Sequence, residues 1–313
     1  MISFIVIGRN EGWKLTKSIQ SIIDTIECND LLSFEIIYVD SDSSDDSIKR
    51  VKKFNDVVIF KLSGDLNAGI ARNVGAQNSK GDVLFFIDGD MEVQPKFLEL
   101  VYSKENGLVH DFVSGNWLNY FYNFSDELLR KEKYKEMKTD AYEKVTGGFF
   151  LIKKKSWDLV GGINADFKIS EDIDIGLRLA KKNIFLLRKK DIGVVHHTID
   201  YLDKKRMWRD FLNMDHLYGR SLLYRTHLFN KHMYHRWIRF DYTLLFLILS
   251  IILILVLPEI GVVFISIYFI LLIIRGKLSP RRIVYNFLRD LTVLFGLLFF
   301  FPKRNIFSIK KMN

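Results

Sequence analysis

The sequence predicts an α/β fold, in which a mostly parallel sheet is flanked by helices and is followed by an apolar C-terminal region. Short β-rich runs alternate with amphipathic stretches in the first third of the chain. The predicted strands are residues 3–7, 34–39, 57–61 and 83–87, and the predicted helices between them are residues 14–25, 44–54 and 70–78. This alternation indicates parallel pairing, and ligands of such sheets bind beyond the carboxyl ends of the strands.

The middle of the chain is less regular. Its aromatic residues are Trp117, Tyr120, Phe121, Tyr122 and Phe124, and a charged stretch after them predicts a helix over residues 125–142. A strand at residues 149–152, a helix at 155–160, a second helix starting near Ser170 and a last strand at 192–196 complete the pattern. We therefore expect one folded domain over residues 1–201.

The rest of the chain has the composition of a membrane-attached region. Residues 202–241 predict basic amphipathic helices on a membrane surface, although a helix packed on the folded domain is an alternative. Residues 242–313 predict a hydrophobic membrane region with a basic tail. Its apolar runs at residues 242–257 and 261–274 are shorter than the ~20 residues that usually span a bilayer. They predict short tilted spans or a re-entrant hairpin, and a third run at residues 291–301 predicts an interfacial segment.

The formal net charge of +9 is concentrated beside these apolar runs. Residues 204–239 carry nine Lys or Arg and two Asp, and residues 275–313 carry nine Lys or Arg and one Asp, so the remainder is acidic. This distribution favours anionic lipid head groups over nucleic acid. The single cysteine, Cys28, excludes an intramolecular disulfide, and residues 1–7 resemble a buried strand rather than a signal peptide. We expect a protein of the cell membrane whose folded domain is cytoplasmic.

Two carboxylates follow the fourth predicted strand, at Asp88 and Asp90 on either side of Gly89. Side chains two positions apart on an extended backbone point to the same side, so these two can converge on one hard cation such as Mg²⁺ or Mn²⁺. A solvated turn is the alternative for such a pair on its own.

Three segments closely resemble glycosyltransferase family 2. They are residues 4–11 (FIVIGRNE), residues 37–45 (IYVDSDSSD) and residues 67–90, which end in FFIDGD. The resemblance covers about the first 200 residues and implies a GT-A fold, a nucleotide-diphospho-sugar donor, with a UDP-sugar expected, and inversion at the anomeric carbon. A membrane-attached member of bacterial type is implied.

The resemblance also implies roles for donor-side residues. Asp40 matches the position that contacts the base or ribose, Asp42 lies beside it, and Glu11 matches the acid of the first nucleotide-binding loop. Asp88 and Asp90 match the metal and diphosphate motif. Arg72 matches a cation near the donor, with a salt bridge to a carboxylate at the sheet end as an equal alternative.

A second acidic group, Glu171-Asp172, follows Ser170, which predicts an N-cap. The pair resembles the acceptor-side motif of the family, which makes Asp172 the leading general base, with Glu171 beside it. Gly147 and Gly148 predict a close backbone approach at the acceptor side or a plain turn. Arg178 is predicted to orient a carboxylate.

His196 and His197 end the last predicted strand. One of them, for which we choose His196, is a candidate third metal ligand or diphosphate contact, and packing histidines are the alternative. The Gln-x-x-Arg-Trp motif of the processive synthases in the family is replaced here by residues 216–221 (HLYGRS), which argues against processive synthesis.

These observations predict the transfer of a single sugar to a lipid-linked or membrane-proximal glycan, as in polysaccharide biosynthesis. Two alternatives remain at this point. One is a nucleotidyltransferase on a similar sheet, and the other is a non-catalytic membrane scaffold.

Overall fold

The computed structural model describes residues 1–200, 212 and 214–312. The chain divides into two compact units near residue 202, and the segment from Lys303 onward belongs to the first unit. The strands are β1 (Ile2–Gly8), β2 (Phe34–Asp40), β3 (Val57–Gly64), β4 (Val83–Asp88), β5 (Met91–Val93), β6 (Tyr102–Ser103), β7 (Gly107–Leu108), β8 (Phe112–Tyr122), β9 (Leu128–Lys133), β10 (Ala141–Glu143), β11 (Phe149–Lys153), β12 (Leu186–Ile199) and β13 (Phe307–Lys311).

The described helices of the first unit flank these strands. They are α1 (Trp13–Cys28), α2 (Ser47–Val51), α3 (Ala68–Gln77), α4 (Pro95–Val101), α5 (Lys154–Leu159) and α6 (Glu171–Lys181). The described helices of the second unit are α7 (Asp215–Thr226), α8 (Lys231–Phe240), α9 (Tyr242–Val256), α10 (Pro258–Gly276) and α11 (Pro280–Phe299).

The main sheet runs in the order β10-β12-β8-β11-β4-β1-β2-β3-β13, with β5 beside β12 and β9 beside β8. β3, β2, β1 and β4 are parallel neighbours, whereas β11 is antiparallel to β4 and to β8. The predicted α/β fold with a mostly parallel sheet in its first half is confirmed.

Both faces of the sheet are buried, because the strands direct alternate side chains to opposite faces. Phe4 and Val6 of β1 belong to one apolar cluster with α1 and α4. Ile5 and Ile7 belong to the other, with α3, α5 and α6. This explains why the first strands are continuous apolar runs rather than alternating ones.

The helix expected over residues 125–142 is wrong, because β9 and β10 occupy this stretch. Asn123 starts a hairpin turn, in which its side-chain oxygen accepts from the backbone N–H groups of Ser125 and Glu127. Asp126 adopts a left-handed φ of 60° in the same turn. Cross-strand pairs then hold β9, since Lys131 lies 4.2 Å from the ring centre of Tyr120.

The C-terminal strand β13 pairs antiparallel with β3 at the edge of the sheet. The sequence assigned residues 242–313 to one membrane region, whereas β13 is an edge strand of the first unit.

The second unit is helical where the structure describes it. The basic stretch at residues 204–239 lies partly outside the described residues, and its described part forms α7 and α8. Pro258 begins α10 rather than a loop, because a proline fits the first helical turn, so the second apolar helix reaches 19 residues. By length and composition α10 can cross a membrane, and only 22% of its most apolar stretch is buried.

Candidate functional site

The candidate site lies at the carboxyl ends of the parallel strands. Because β1 pairs in parallel with both β2 and β4, Gly8 lies beside Asp40 and Ile7 lies beside Asp88. The loops that follow these strands therefore meet at one edge of the sheet, as the sequence predicts.

Side-chain hydrogen bonds join the loops after β1 and β2. The backbone N–H of Asn10 donates to Ser43 Oγ at 2.9 Å, and Asn10 Oδ1 accepts from the backbone N–H of Ser44 at 2.8 Å. The backbone N–H of Glu11 donates to Ser47 Oγ at 3.1 Å. These bonds hold the two loops as one rim.

Asp40 organises this rim from inside. It is fully buried, and its carboxylate accepts from the Tyr38 hydroxyl and from the backbone N–H of Ser43, both at 2.8 Å. Burial and the neighbouring Asp40 carboxylate raise the pKa of Tyr38 well above its ordinary value. Asp42 adopts a left-handed φ of 62° and lies 3.4 Å from Lys61 Nζ. Nucleoside contacts by Asp40 and Asp42 stay predictions.

Arg72 connects the two acidic motifs. Its Nη2 lies 2.6 Å from Asp88 Oδ1, and its Nη1 lies 3.4 Å from Glu171 Oε1. Burial alone lowers the pKa of Arg72, but Asp88, Glu171 and Asp172 outweigh it and raise the pKa. The predicted salt bridge to a carboxylate at the sheet end is confirmed, and the donor contact of Arg72 stays a prediction.

Gly148 lies directly against Asp88. A Cβ on Gly148 would stand 2.4 Å from Asp88 Oδ2. The backbone carbonyl of Gly148 accepts from the backbone N–H of Asp88 at 3.1 Å. Gly147 has a φ of 74°, and a Cβ there would meet the ring of Trp117. The predicted close backbone approach is therefore made to the carboxylate of Asp88, and the acceptor-side role of both glycines stays a prediction.

Asp90 faces His196. Asp90 Oδ2 lies 3.2 Å from His196 Nε2, and His196 Nδ1 lies 2.8 Å from Asn119 Oδ1. Burial lowers the pKa of His196, but the hydrogen bond and charge of Asp90 outweigh it and raise that pKa. Oxygen atoms of Asp90 and Asn119 thus lie within 3.2 Å of both ring nitrogens of His196.

His197 packs against other side chains next to the site. It is buried, with Nδ1 at 2.9 Å from the Tyr122 hydroxyl and Nε2 at 2.6 Å from Glu92 Oε2. Trp13 packs edge-on against its ring. The backbone N–H of His197 donates to the carbonyl of Asp90 at 2.9 Å, but it is the imidazole of His196 that faces the Asp90 carboxylate.

Glu11 lies over the same motif. A Cβ on Gly8 or on Gly89 would stand 2.9 Å or 3.1 Å from Glu11 Cγ, so both glycines leave room for this side chain. Burial, followed by repulsion from Asp90 and Asp88, raises the pKa of Glu11 to about 7. The strand ends thus carry a group of carboxylates that repel one another.

The second acidic motif begins α6. Ser170 occupies the predicted N-cap position with a left-handed φ of 72°, and its side chain makes no cap hydrogen bond. Its backbone carbonyl accepts instead from the N–H groups of Ile173 and Asp174. Burial, then Asp172 and Asp88, raise the pKa of Glu171 against the lowering effect of Arg72.

Arg178 fixes the buried side of α6. It lies 2.6 Å from Asp174 Oδ2 and donates to the carbonyls of Val160 and Gly162. This pair confirms that Arg178 orients a carboxylate.

The structure does not gather the three predicted metal ligands into one cluster. Within residues 1–200, 212 and 214–312, no group of three or more His, Cys, Asp or Glu side chains is arranged to hold a metal ion. Asp90 pairs with His196, whereas Asp88 is drawn to Arg72 because a buried guanidinium needs a counter-charge.

Sequence reasoning missed Arg188, which supports the loop that contains the two glycines. Arg188 is fully buried, pairs with Glu143 at 2.6 Å, and donates to the carbonyls of Val145 and Thr146 just before Gly147. An arginine directly after the apolar pair at residues 186–187 was the available signal. Asn119 was also missed, and only the pairing of β8 with β12 places it beside His196.

Known proteins with similar sequences are glycosyltransferases. Over 123 residues the chain is 32% identical to the poly(ribitol-phosphate) β-N-acetylglucosaminyltransferase TarP of Staphylococcus aureus, covering 37% of this chain and 36% of that protein. It is 29% identical over 199 residues to a GalNAc(5)-diNAcBac-PP-undecaprenol β-1,3-glucosyltransferase of Campylobacter jejuni, covering 60% and 62%. The chain thus spans from about a third to three-fifths of the length of these relatives.

A solved structure has the same fold. The crystal structure of GalNAc-T7 with UDP, GalNAc and Mn²⁺ superposes with a TM-score of 0.50 at 16% identity, covering 72% of this chain and 50% of that one. This similarity confirms the GT-A fold that the resemblance implies.

Residues 3–165 match the profile described as "Glycosyl transferase family 2", which is more than half of the chain. The match favours the glycosyltransferase interpretation over the nucleotidyltransferase and scaffold alternatives. The chain belongs to glycosyltransferase family 2.

Proposed function

We propose that this glycosyltransferase moves one sugar, with inversion, from a UDP-sugar to a hydroxyl of a lipid-linked or membrane-proximal glycan. One observation carries the proposal. Arg72 joins Asp88, at the donor motif, to Glu171, at the predicted acceptor motif, through contacts of 2.6 Å and 3.4 Å. The buried guanidinium of Arg72 thus links the proposed donor site to the proposed acceptor site, and a transfer reaction needs both.

Arg72 has one N–H group that can donate a further hydrogen bond on the donor side. Among the described residues its Nε is buried without a hydrogen-bond partner. A buried donor left unpaired costs about 1–3 kcal/mol, so an anionic oxygen near it would be favoured. We assign this donor to the diphosphate of the sugar nucleotide, which lies beside Asp88 in the proposal.

Asp90 and His196 fit a divalent cation. Carboxylate and imidazole are common metal ligands, and Asn119 Oδ1 accepts from His196 Nδ1, which leaves Nε2 for a metal in the neutral ring. Mg²⁺ prefers oxygen ligands, so the imidazole favours Mn²⁺, the ion present with UDP in the GalNAc-T7 structure. A bound cation would supply positive charge that offsets the charge on the leaving diphosphate.

Asp172 is the proposed general base. It stands in the first turn of α6, where the helix dipole favours a carboxylate, and its charge acts on Arg72. In the proposed reaction the acceptor hydroxyl gives its proton to Asp172 while its oxygen forms the bond to the anomeric carbon. The bond from that carbon to the diphosphate breaks on the opposite face, and UDP leaves.

The acceptor proposal rests on the second unit and on the relatives. The exposed apolar side chains of α10 support attachment to a membrane. The Campylobacter relative is named for an undecaprenol-linked substrate. A lipid-borne acceptor at the cytoplasmic face of the cell membrane would bring the hydroxyl and the site together.

The test compares Asp172→Asn with Asp166→Asn, an exposed acid in the loop before α6. Wild-type protein is incubated with UDP-sugars, Mn²⁺ and membrane lipid extract, and released UDP and glycosylated lipid are measured. We expect D172N to lower the turnover about 10²–10⁴-fold, as the loss of a general base does, and D166N to leave it unchanged.

Equal turnover of D172N and wild type would contradict the assignment of the base. Release of pyrophosphate from a nucleoside triphosphate, with no UDP from any UDP-sugar, would contradict sugar transfer itself.

A further inference from the structure

The C-terminal strand returns the chain to the sheet in which it began. Five consecutive residue pairs join β13 to β3, from Phe307 beside Gly64 to Lys311 beside Phe60. The segment before β13 is held as well, because the backbone N–H of Asp65 donates to the carbonyl of Ile306 at 2.9 Å. Asn305 Nδ2 donates to the carbonyl of Ala165 at 2.8 Å. The end of the chain is therefore an integral part of the first unit.

This pairing restricts how the chain can be threaded through a bilayer. The chain leaves the first unit near residue 202 and re-enters it at Lys303. A folded sheet lies on one side of a membrane, because unpaired strand edges are not tolerated within the hydrocarbon. The segment between these points must then cross the membrane an even number of times. We infer that it crosses twice, through α9 and α10, and this inference rests on the membrane attachment proposed above.

α9 is the crossing that pairs with α10. Its 15 residues include no charged side chain, and at 1.5 Å per residue it extends ~22 Å, against ~28 Å for α10. The two helices pack closely near their connection, where a Cβ on Gly261 would stand 2.4 Å from the backbone nitrogen of Ile254. Leu247, Tyr268 and Leu272 form their buried seam.

The outer faces of this pair suit lipid. Leu255, Val256, Val262 and Ile274 are between 60% and 80% exposed within the chain. Apolar exposure on this scale marks a surface that water does not cover in the functional state. Because α9 is shorter than the ~30 Å of hydrocarbon, we expect local thinning of the bilayer around it.

The two ends of the α9–α10 pair differ in polarity. The closed end is the connection between the two helices, and the open end holds the start of α9 and the end of α10. At the open end, Arg275 lies 5.3 Å from the ring centre of Tyr242 and 3.4 Å from the hydroxyl of Thr243. Arg289 of α11 donates to the same hydroxyl at 3.1 Å. The connection at the closed end carries Glu259 as its one charged residue. Cations at the open end fit the side that holds the first unit, which agrees with the positive-inside bias.

α11 stays on the side of the open end in this arrangement. It carries Arg281, Arg282, Arg289 and Asp290, whereas α9 carries no charged side chain. A crossing by α11 as well would place β13 on the wrong side of the bilayer for its pairing with β3. Two crossings with Glu259 on the far side satisfy both the pairing and the charges.

The topology can be tested with single cysteines in the full chain. Native Cys28 is exposed and is the only cysteine of the sequence, so it reports the side of the first unit. In a Cys28→Ser background, Glu259→Cys reports the helix connection and Lys303→Cys the return to the sheet, with Lys310→Cys as a second reporter. Each protein is labelled with a membrane-impermeant maleimide in inside-out and in right-side-out vesicles, and in detergent to show that every thiol can react.

We expect Cys28, K303C and K310C to react in the same vesicle type and E259C to react in the opposite one. Labelling of K303C and K310C on the side opposite to Cys28 would overturn the even number of crossings. Labelling of E259C on the side of Cys28, or release of the protein by alkaline carbonate, would overturn the two crossings. UDP release by the same preparations in detergent is measured separately, so a failure of sugar transfer is distinguished from a failure of the topology.

Discussion

The two units depart from an ordinary globular distribution of residues in opposite directions. The first unit buries charges, including Arg72 at 3% exposure and Asp174 and Arg188 at 0%. The second unit exposes apolar side chains, such as Leu255 at 80% and Val256 at 67%. Buried charges are costly unless paired, and each of these three lies beside an opposite charge, whereas exposed apolar surface is costly in water. The unpaired Nε of Arg72 supports the proposed anionic ligand of the first unit, and the exposed apolar side chains support the proposed lipid contact of the second.

The largest effect should follow from removing the buried cation. Arg72→Met leaves Asp88 and Glu171 without their shared partner, and we expect a loss of about 3–5 kcal/mol in the free energy of unfolding. The matched control is Arg50→Met, which breaks the solvent-exposed pair with Asp46 and should leave the free energy of unfolding almost unchanged. Chemical denaturation measures both, and equal losses would remove the distinction between buried and surface charge.

A second effect concerns how the free energy of unfolding of the metal-free protein depends on pH. The pKa of Glu11 is raised from 4.5 to about 7, so the folded chain holds this proton more tightly than the unfolded chain does. The resulting stabilisation is complete below pH 4.5 and is lost as the pH rises through 7, with an upper limit of about 3 kcal/mol. Glu11→Gln should flatten this decline in the free energy of unfolding, measured in chelator from pH 4.5 to 8. An unchanged slope would show that Glu11 does not titrate in this range.

A third effect tests the contact between Gly148 and Asp88. Gly148→Ala places a Cβ 2.4 Å from Asp88 Oδ2, and relief of that overlap should cost about 1–3 kcal/mol and lower the affinity for UDP. Gly107→Ala is the control, because no atom lies within 4 Å of its added Cβ and any strain comes from its own φ of 68°. Calorimetric titration with UDP should show weaker binding for G148A alone, and equal binding by both variants would contradict the close fit.

The smallest effect belongs to the exposed apolar face. Val263 is 57% exposed, so Val263→Ser should change the free energy of unfolding, measured by thermal denaturation in detergent, by no more than about 0.5 kcal/mol. Leu272→Ala, at a position that is 1% exposed, should cost about 2–5 kcal/mol in the same assay. A large loss for V263S would indicate that this face packs against protein rather than lipid.

The sequence predicted the parallel half of the fold well, because β1 to β4 are apolar runs with a single interpretation. It failed at residues 125–142, where charged residues with helical propensity form β9 against the aromatic strand β8 and begin β10 against β12. The acidic motifs were found because they follow predicted strands and helices. Arg188, Asn119 and the return of β13 were not found, because they depend on pairing between distant segments that periodicity does not report.

Cation-dependent binding of UDP is the most direct test of the proposed donor site. Titration calorimetry with UDP and Mn²⁺ should give a Kd that rises at least about 100-fold with chelator, with Asp90→Asn or with His196→Ala, which corresponds to about 2.7 kcal/mol. Asp166→Asn should bind as wild type does. Binding of UDP that is equally tight in chelator and in D90N would contradict the account that Asp90 and His196 hold a cation for the donor.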